Sequence, residues 1–216
     1  MKLTNPFLTL LFAMLVGAGI GLGCASTGIE RSTQASTTMH TMDSVIKLVV
    51  VQLDATGSSL DELIKPGQSD VRTAFDLYTD NVSKIEKLEK EFAKSADEMK
   101  VQGRTYLKEW QRDGDQYKNP QIKDLSEQRH LEIGEIYGRI AQNSLGVKEA
   151  FKAYVAEARE IQKYLSNDLT SRGIEVIVPI ARTSVLDGEV LKNSIRDIQT
   201  AIERSQAEMA LSGTTL

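Results

Sequence analysis

The chain of 216 residues is poor in several things, and each shortage narrows what it can be. It has one cysteine, Cys24, so no disulfide can form within it and no multi-thiol metal site can be built. It has four prolines and only 6% aromatic residues, which disfavours a turn-rich β-sandwich and suits long helices. Two histidines leave few groups that titrate near neutral pH for proton transfer. Positive charge is scarce as a patch: 26 Lys and Arg stand against 30 Asp and Glu, interspersed, for a net charge of −4. Nucleic acid wants a basic stripe, and anionic lipid wants a polybasic segment; neither is present. No apolar run reaches the roughly 20 residues that a membrane-spanning helix needs.

What is present begins at the N-terminus, "MKLTNPFLTLLFAMLVGAGIGLGC". Lys2 is a short positive region, Phe7 to Val16 an apolar core of about ten residues, and small residues lead up to Cys24. This is the layout of a secretory signal peptide, and glycines at 17, 19, 21 and 23 would weaken a helix there. With a cysteine at the cleavage point the segment resembles a bacterial lipoprotein signal. In that class the cysteine becomes the first mature residue and carries the lipid. Gly23 fits the small residue expected just before it; Gly21 stands where a leucine is usual. The resemblance implies a signal peptide over 1–23, lipidation at Cys24 and a tether over 24–31. The tether is small and polar, "CASTGIER". Ala25, rather than an aspartate, implies sorting to the outer membrane, facing the periplasm. An ordinary signal peptide with an incidental cysteine is the rival. About 190 residues remain after cleavage, enough for one domain. Losing Lys2, the only charge before Cys24, takes the net charge to −5.

The rest of the chain reads as four long helices, at about 32–65, 69–112, 120–166 and 169–210. In the first, Met39, Met42, Ile46, Val49, Leu53, Thr56, Leu60 and Leu63 step alternately by three and four, with Val45, Val50 and Val51 widening the stripe. Pro66 and Gly67 stop it, and Ser69 or Asp70 can cap the next. The second keeps the alternation from Phe75 to Trp110 with one polar member, Glu89. The third starts at Pro120, suited to a first turn, and its stripe from Leu125 through Arg129 to Leu165 repeats nearer eleven residues than seven. The turn "LSNDLTSRG" offers Asn167 or Asp168 as a cap. From Ile174 to Met209 the heptad passes through Pro179 without losing phase. That predicts one helix kinked there, against the rival of a strand "IEVIVP". Short turns favour antiparallel neighbours, so the expected fold is all-α: an elongated antiparallel four-helix bundle over 32–211. The tether and the turn around 113–119 then share one end, and the turns near 66 and 168 the other.

A search for chemistry finds little. Glu127 and His130 in "EQRH" form half of a di-iron bundle motif, which needs two such pairs and two further glutamates. His40 has no glutamate at the matching offset. The alternative is a solvated surface histidine. No serine sits in a Gly-x-Ser-x-Gly elbow, and "GAGIGLG" lies inside the signal and follows no strand. The expectation is a non-enzyme with no catalytic residues, cofactor or metal. Glu89 and Arg129 sit on apolar stripes; they either pair across the bundle or reach solvent at its edge, the second being preferred. Tyr106, Trp110 and Tyr117 either plug the end of the bundle above Ile122, the preferred reading, or lie at a membrane interface.

In "EWQRDGDQYKNPQIKDLSEQR" the chain resembles a family of predicted bacterial lipoproteins classed only as a domain of unknown function. The likeness rests on Glu109–Trp110, Gln116–Tyr117 and Leu125–Ser126 and would cover most of residues 40–210. It implies a lipid signal and long helices, and no activity. The leading expectation is a lipid-anchored helical rod of the cell envelope that binds another protein or organises the space between membrane and wall. The partner is unnamed by the sequence, and flanking apolar residues leave a homo-oligomer open. The alternatives are a small-molecule sensing module, with room beside Ala96, Gly103, Ser144 and Gly188, and a membrane-remodelling surface.

Overall fold

The computed structural model describes residues 28–211, with the side chains of Ile29 and of 209–211 left aside. The signal peptide, Cys24 and the contribution of Met209 lie outside the described residues. The chain forms four α-helices: α1 Gly28–Leu63, α2 Val71–Gly114, α3 Pro120–Asn167 and α4 Ser171–Leu211. At 1.5 Å per residue they are about 54 to 72 Å long. Helix α1 packs on α2 and α4, and α3 packs on the same two; among the described residues the backbones of neither diagonal pair approach closely. The result is an antiparallel ring of four, an elongated all-α bundle.

The stripes read from the sequence are the core. Met39, Met42, Ile46, Val49, Leu53, Thr56, Leu60 and Leu63 are all buried, as are Ile174, Ile177, Ala181, Ser184, Leu191, Ile195, Ile198, Ile202 and Ser205. Burying a leucine or isoleucine is worth about 1.5–3 kcal/mol, so a continuous seam outweighs weak local propensities. This is why α4 continues through Pro179, which is exposed, as one helix, and no strand forms around it. The missing N–H leaves the carbonyl of exposed Glu175 to water. Val51 departs from expectation: it points outward and is exposed, because it lies opposite the Ile46–Val49–Leu53 face.

The core divides into two apolar blocks. One is built around Phe92 and Phe151, whose rings meet edge to face at 5.8 Å. The other lies around Tyr78, Ile161 and Leu165. Between them α1 and α4 contribute Thr56, Ser184 and Gly188. Three side chains beside this layer find hydrogen-bond partners across helices. Gln52 donates to Asn81 Oδ1 at 3.0 Å, Asn81 donates to the Ala55 carbonyl at 3.3 Å, and Tyr78 donates to the Ala158 carbonyl at 2.9 Å. Burial pushes the Tyr78 phenol well up, so it stays neutral. Two of the buried serines of the stripes, Ser144 and Ser205, bond back to carbonyls of their own helices.

The helix ends differ from expectation in two places. Asp70 caps α2, accepting from the Thr73 N–H at 3.1 Å, but α4 is capped by Thr170 rather than by Asn167 or Asp168. Asp168 closes α3 and holds the Thr170 hydroxyl at 2.6 Å. Second, α1 begins at Gly28, so it takes in residues 28–31, which the sequence assigned to the tether. Glu30 in the first turn complements the helix dipole, and Arg31 finds partners on α2.

Small core residues are filled by rings from α3. A Cβ on Gly103 would lie 2.3 Å from Tyr137 Cδ1, and one on Gly188 would lie 3.1 Å from Tyr154 Cε2. Gly138 has open space around it. Two opposite outcomes follow for the same substitution. Gly138→Ala is expected to stabilise the fold by about 1 kcal/mol through helix propensity. Gly103→Ala is expected to destabilise it by about 1–3 kcal/mol through overpacking. Urea titration followed by circular dichroism reads both; equal effects would contradict the Tyr137 packing.

Candidate functional site at the tether-proximal end

The end of the bundle where α1 begins is the part of the described structure with the most specific side-chain chemistry. Three elements converge on it: the first turn of α1, the last turns of α2 and the first turns of α3. The periodicity of α2 places Tyr106 and Trp110 on its inward face, four residues apart.

Trp110 is the centre of the cluster. Its Nε1 donates to Ser126 Oγ at 2.9 Å, and its ring meets Tyr106 edge to face at 5.6 Å and His130 at 6.4 Å. His130 Nε2 lies 3.0 Å from the Leu107 carbonyl. A carbonyl only accepts, so this nitrogen carries the hydrogen. Glu127 is exposed beside it, and no group of three or more metal-ligating side chains occurs among the described residues. Trp110 and Tyr106 pack against the core as an end plug. Tyr117 and Ile122 do not join them: both are exposed, and so is Leu125, the first member of the α3 stripe.

An ion-pair lock fastens α1 here. Arg31 donates to Asp113 Oδ2 at 2.6 Å, and its Nε lies 3.7 Å from Glu109 Oε2. Hydrogen bonding from Arg31 holds the Asp113 carboxyl below its ordinary value. Arg129 bridges α3 to α4, donating to the Glu208 carbonyl at 3.3 Å and to Glu132 at 2.9 Å. Glu89 lies 18 residues along α2 from Leu107, the level of His130, or about 27 Å. The two therefore do not pair with each other, and both are half-buried.

A shallow cleft of about 290 Å³ opens between α2 and α3, lined by Trp110, Gly114, Lys123, Ser126, Glu127 and His130. Gly114 lets the two helices close: a Cβ there would be 3.2 Å from Ser126 Oγ. Among the described residues no helix is long and apolar enough to cross a membrane. No family model, curated protein or solved structure matches the chain. The lock was not foreseen, because Arg31 and Asp113 are 82 residues apart and neither sits on a stripe.

Two outcomes test this end. Ser126→Ala removes the acceptor of the Trp110 N–H and is expected to cost about 1 kcal/mol. Denaturant unfolding can be followed by fluorescence of Trp110, the only tryptophan. The lock is pH-dependent with a defined sign. The Asp113 carboxyl is depressed in the folded state, so its contribution is complete above the ordinary value of 3.8 and is lost as pH falls through the lower folded value. Protection against hydrogen exchange in the first two turns of α1, relative to the intrinsic rate at each pH, should fall below pH 3.8. Asp113→Asn should show that lower protection already at neutral pH, with less change on acidification.

Proposed function

We propose that the chain is a non-enzymatic, lipid-anchored helical rod of the bacterial envelope that acts as a structural or protein-interaction module. One observation carries this reading. Only residues 25–27 separate Cys24 from Gly28, the first described residue of α1, and α1 is fastened to α2 by Arg31, three residues on. An acyl chain on Cys24 would therefore hold the Trp110 end of the rod close to the bilayer. It would present the turns at 64–70 and 168–170 about 50–65 Å away. Those distal turns are small and polar, and Leu63, Ile64, Pro66, Val71, Ile174 and Val178 line a cleft between them. A rigid spacer with a recognition tip is the role such an object suits.

The small-molecule sensing reading rested on room beside small core residues. Tyr137 and Tyr154 occupy that room at Gly103 and Gly188, which favours the rod.

The test has two parts. Cys24→Ser should move the protein from the membrane to the soluble fraction of exported material, and intact mass should show acylation of the unsubstituted chain. Photocrosslinking from residue 67 or 170 in intact cells should recover a specific envelope protein, identified by mass spectrometry. A membrane-bound Cys24→Ser chain would remove the anchor; an absence of distal crosslinks would remove the interaction role.

A further inference from the structure

The two apolar blocks of the core meet across a polar belt. On α1 the belt lies between Leu53 of one block and Leu60 of the other, and it holds buried Thr56 and Ser59. On α4 it lies between Ala181 and Leu191, and it holds Ser184 and Gly188. On α2 and α3 the boundary falls within one turn, between Val82 and Ile85 and between Val155 and Ala158. Neither cluster of buried apolar side chains extends across it. Polar bonds tie neighbouring helices at this level instead. Asn81 accepts from Gln52 and donates to the Ala55 carbonyl, and Tyr78 donates to the Ala158 carbonyl. The ion pairs Asp54–Lys192 and Glu86–Arg159 join α1 to α4 and α2 to α3.

The distal block, around Tyr78, Ile161 and Leu165, is the weaker of the two. It holds fewer buried apolar side chains than the block around Phe92 and Phe151. Among the described residues, every salt bridge between helices lies in the belt or on its Phe92 side. The distal pairs Lys65–Glu62 and Arg172–Glu175 each stay within one helix. Two of the distal helix segments are locally weak as well. Helix α4 lacks one backbone hydrogen bond at Pro179. Helix α1 enters the block through Thr56, Gly57, Ser58 and Ser59, all poorer helix formers than alanine. The Thr56 hydroxyl bonds back to the Gln52 carbonyl at 2.7 Å, and the Ser59 hydroxyl to the Thr56 carbonyl at 2.9 Å. Such bonds compete with the helix ladder.

Shared apolar packing is what makes neighbouring regions unfold together, whereas a polar layer exchanges its bonds for water at small net cost. We infer that the distal part of the bundle is a separate cooperative unit: residues 57–82 and 158–185, with both distal turns, open together while the Phe92 block stays folded. The belt is the boundary at which opening stops, because the larger apolar block and the remaining cross-helix ion pairs begin there. Opening to the belt uncovers Leu60, Leu63, Ile161, Leu165, Ile174 and Ile177, so the end that carries the distal turns can change its surface without loss of the rest of the rod. It needs no lipid on Cys24 and is independent of the proposed anchoring.

Native-state hydrogen exchange of the full chain in low urea, read by mass spectrometry of peptides, tests this. Amides of 60–64, 74–82, 158–165 and 174–181 are expected to share one urea dependence. They should exchange faster than those of 39–53, 92–99, 140–151 and 191–202 by about ten-fold or more. Two conservative core substitutions, mild enough to keep the fold, supply a stricter check. Ile46→Val weakens the Phe92 block, which is folded both before and after distal opening. It should speed exchange in that block by about 2- to 10-fold and leave the distal amides unchanged. Ile161→Val weakens the distal unit and should speed exchange in both blocks, since global unfolding includes distal opening. Equal acceleration of both blocks by Ile46→Val overturns the inference, because the bundle is then one unit. So does protection that rises steadily from the turns inward with a different urea dependence in each helix, which is fraying of independent ends.

Discussion

Each helix of this protein carries one apolar stripe that must be kept from water along nearly its whole length. The only surfaces that can cover it are the stripes of its two neighbours. Everything else in the fold follows from that pairing. A helix about 54 to 72 Å long cannot wrap on itself, so burial demands side-by-side contact, and short turns make the contacts antiparallel. The ring of four, each helix packed on two neighbours, is the arrangement that covers all four stripes at once. Proline at 179 is absorbed because the seam on either side of it is worth more than one lost hydrogen bond.

The same constraint explains where the structure carries specificity. A continuous apolar seam can slip by a heptad, since one layer resembles the next. Local devices oppose slippage. The Gln52–Asn81 bond sits between two apolar blocks, Tyr137 lies on Gly103, and Tyr154 on Gly188. Lys192 reaches from α4 to Asp54 on α1 at 2.5 Å, and Gln199 to Asp43 at 2.9 Å. Each matches one side chain to one position on the neighbour, so each favours a single register.

At the end where α1 begins, the described structure carries the Arg31 lock and the Trp110 plug: charge on the outside and aromatic packing across the seam. Ile122 and Leu125, in phase with the α3 stripe, are exposed there.

The four helices, their order and the residues of their stripes were legible in the sequence, because periodicity is local and burial follows from it. The passage through Pro179 was legible for the same reason: the phase before it predicts the positions after it. The extra first turn of α1 was not, since Arg31 is held by Glu109 and Asp113 from another helix. Nor was the Thr170 cap, which depends on where Asp168 ends α3. Leu125 shows the limit most plainly. It is in phase with the stripe and reads as core, yet it is exposed. A sequence pattern says which face of a helix would be covered; how far along that face the neighbours extend is a property of their relative lengths and register. Those are decided only when all four helices pack.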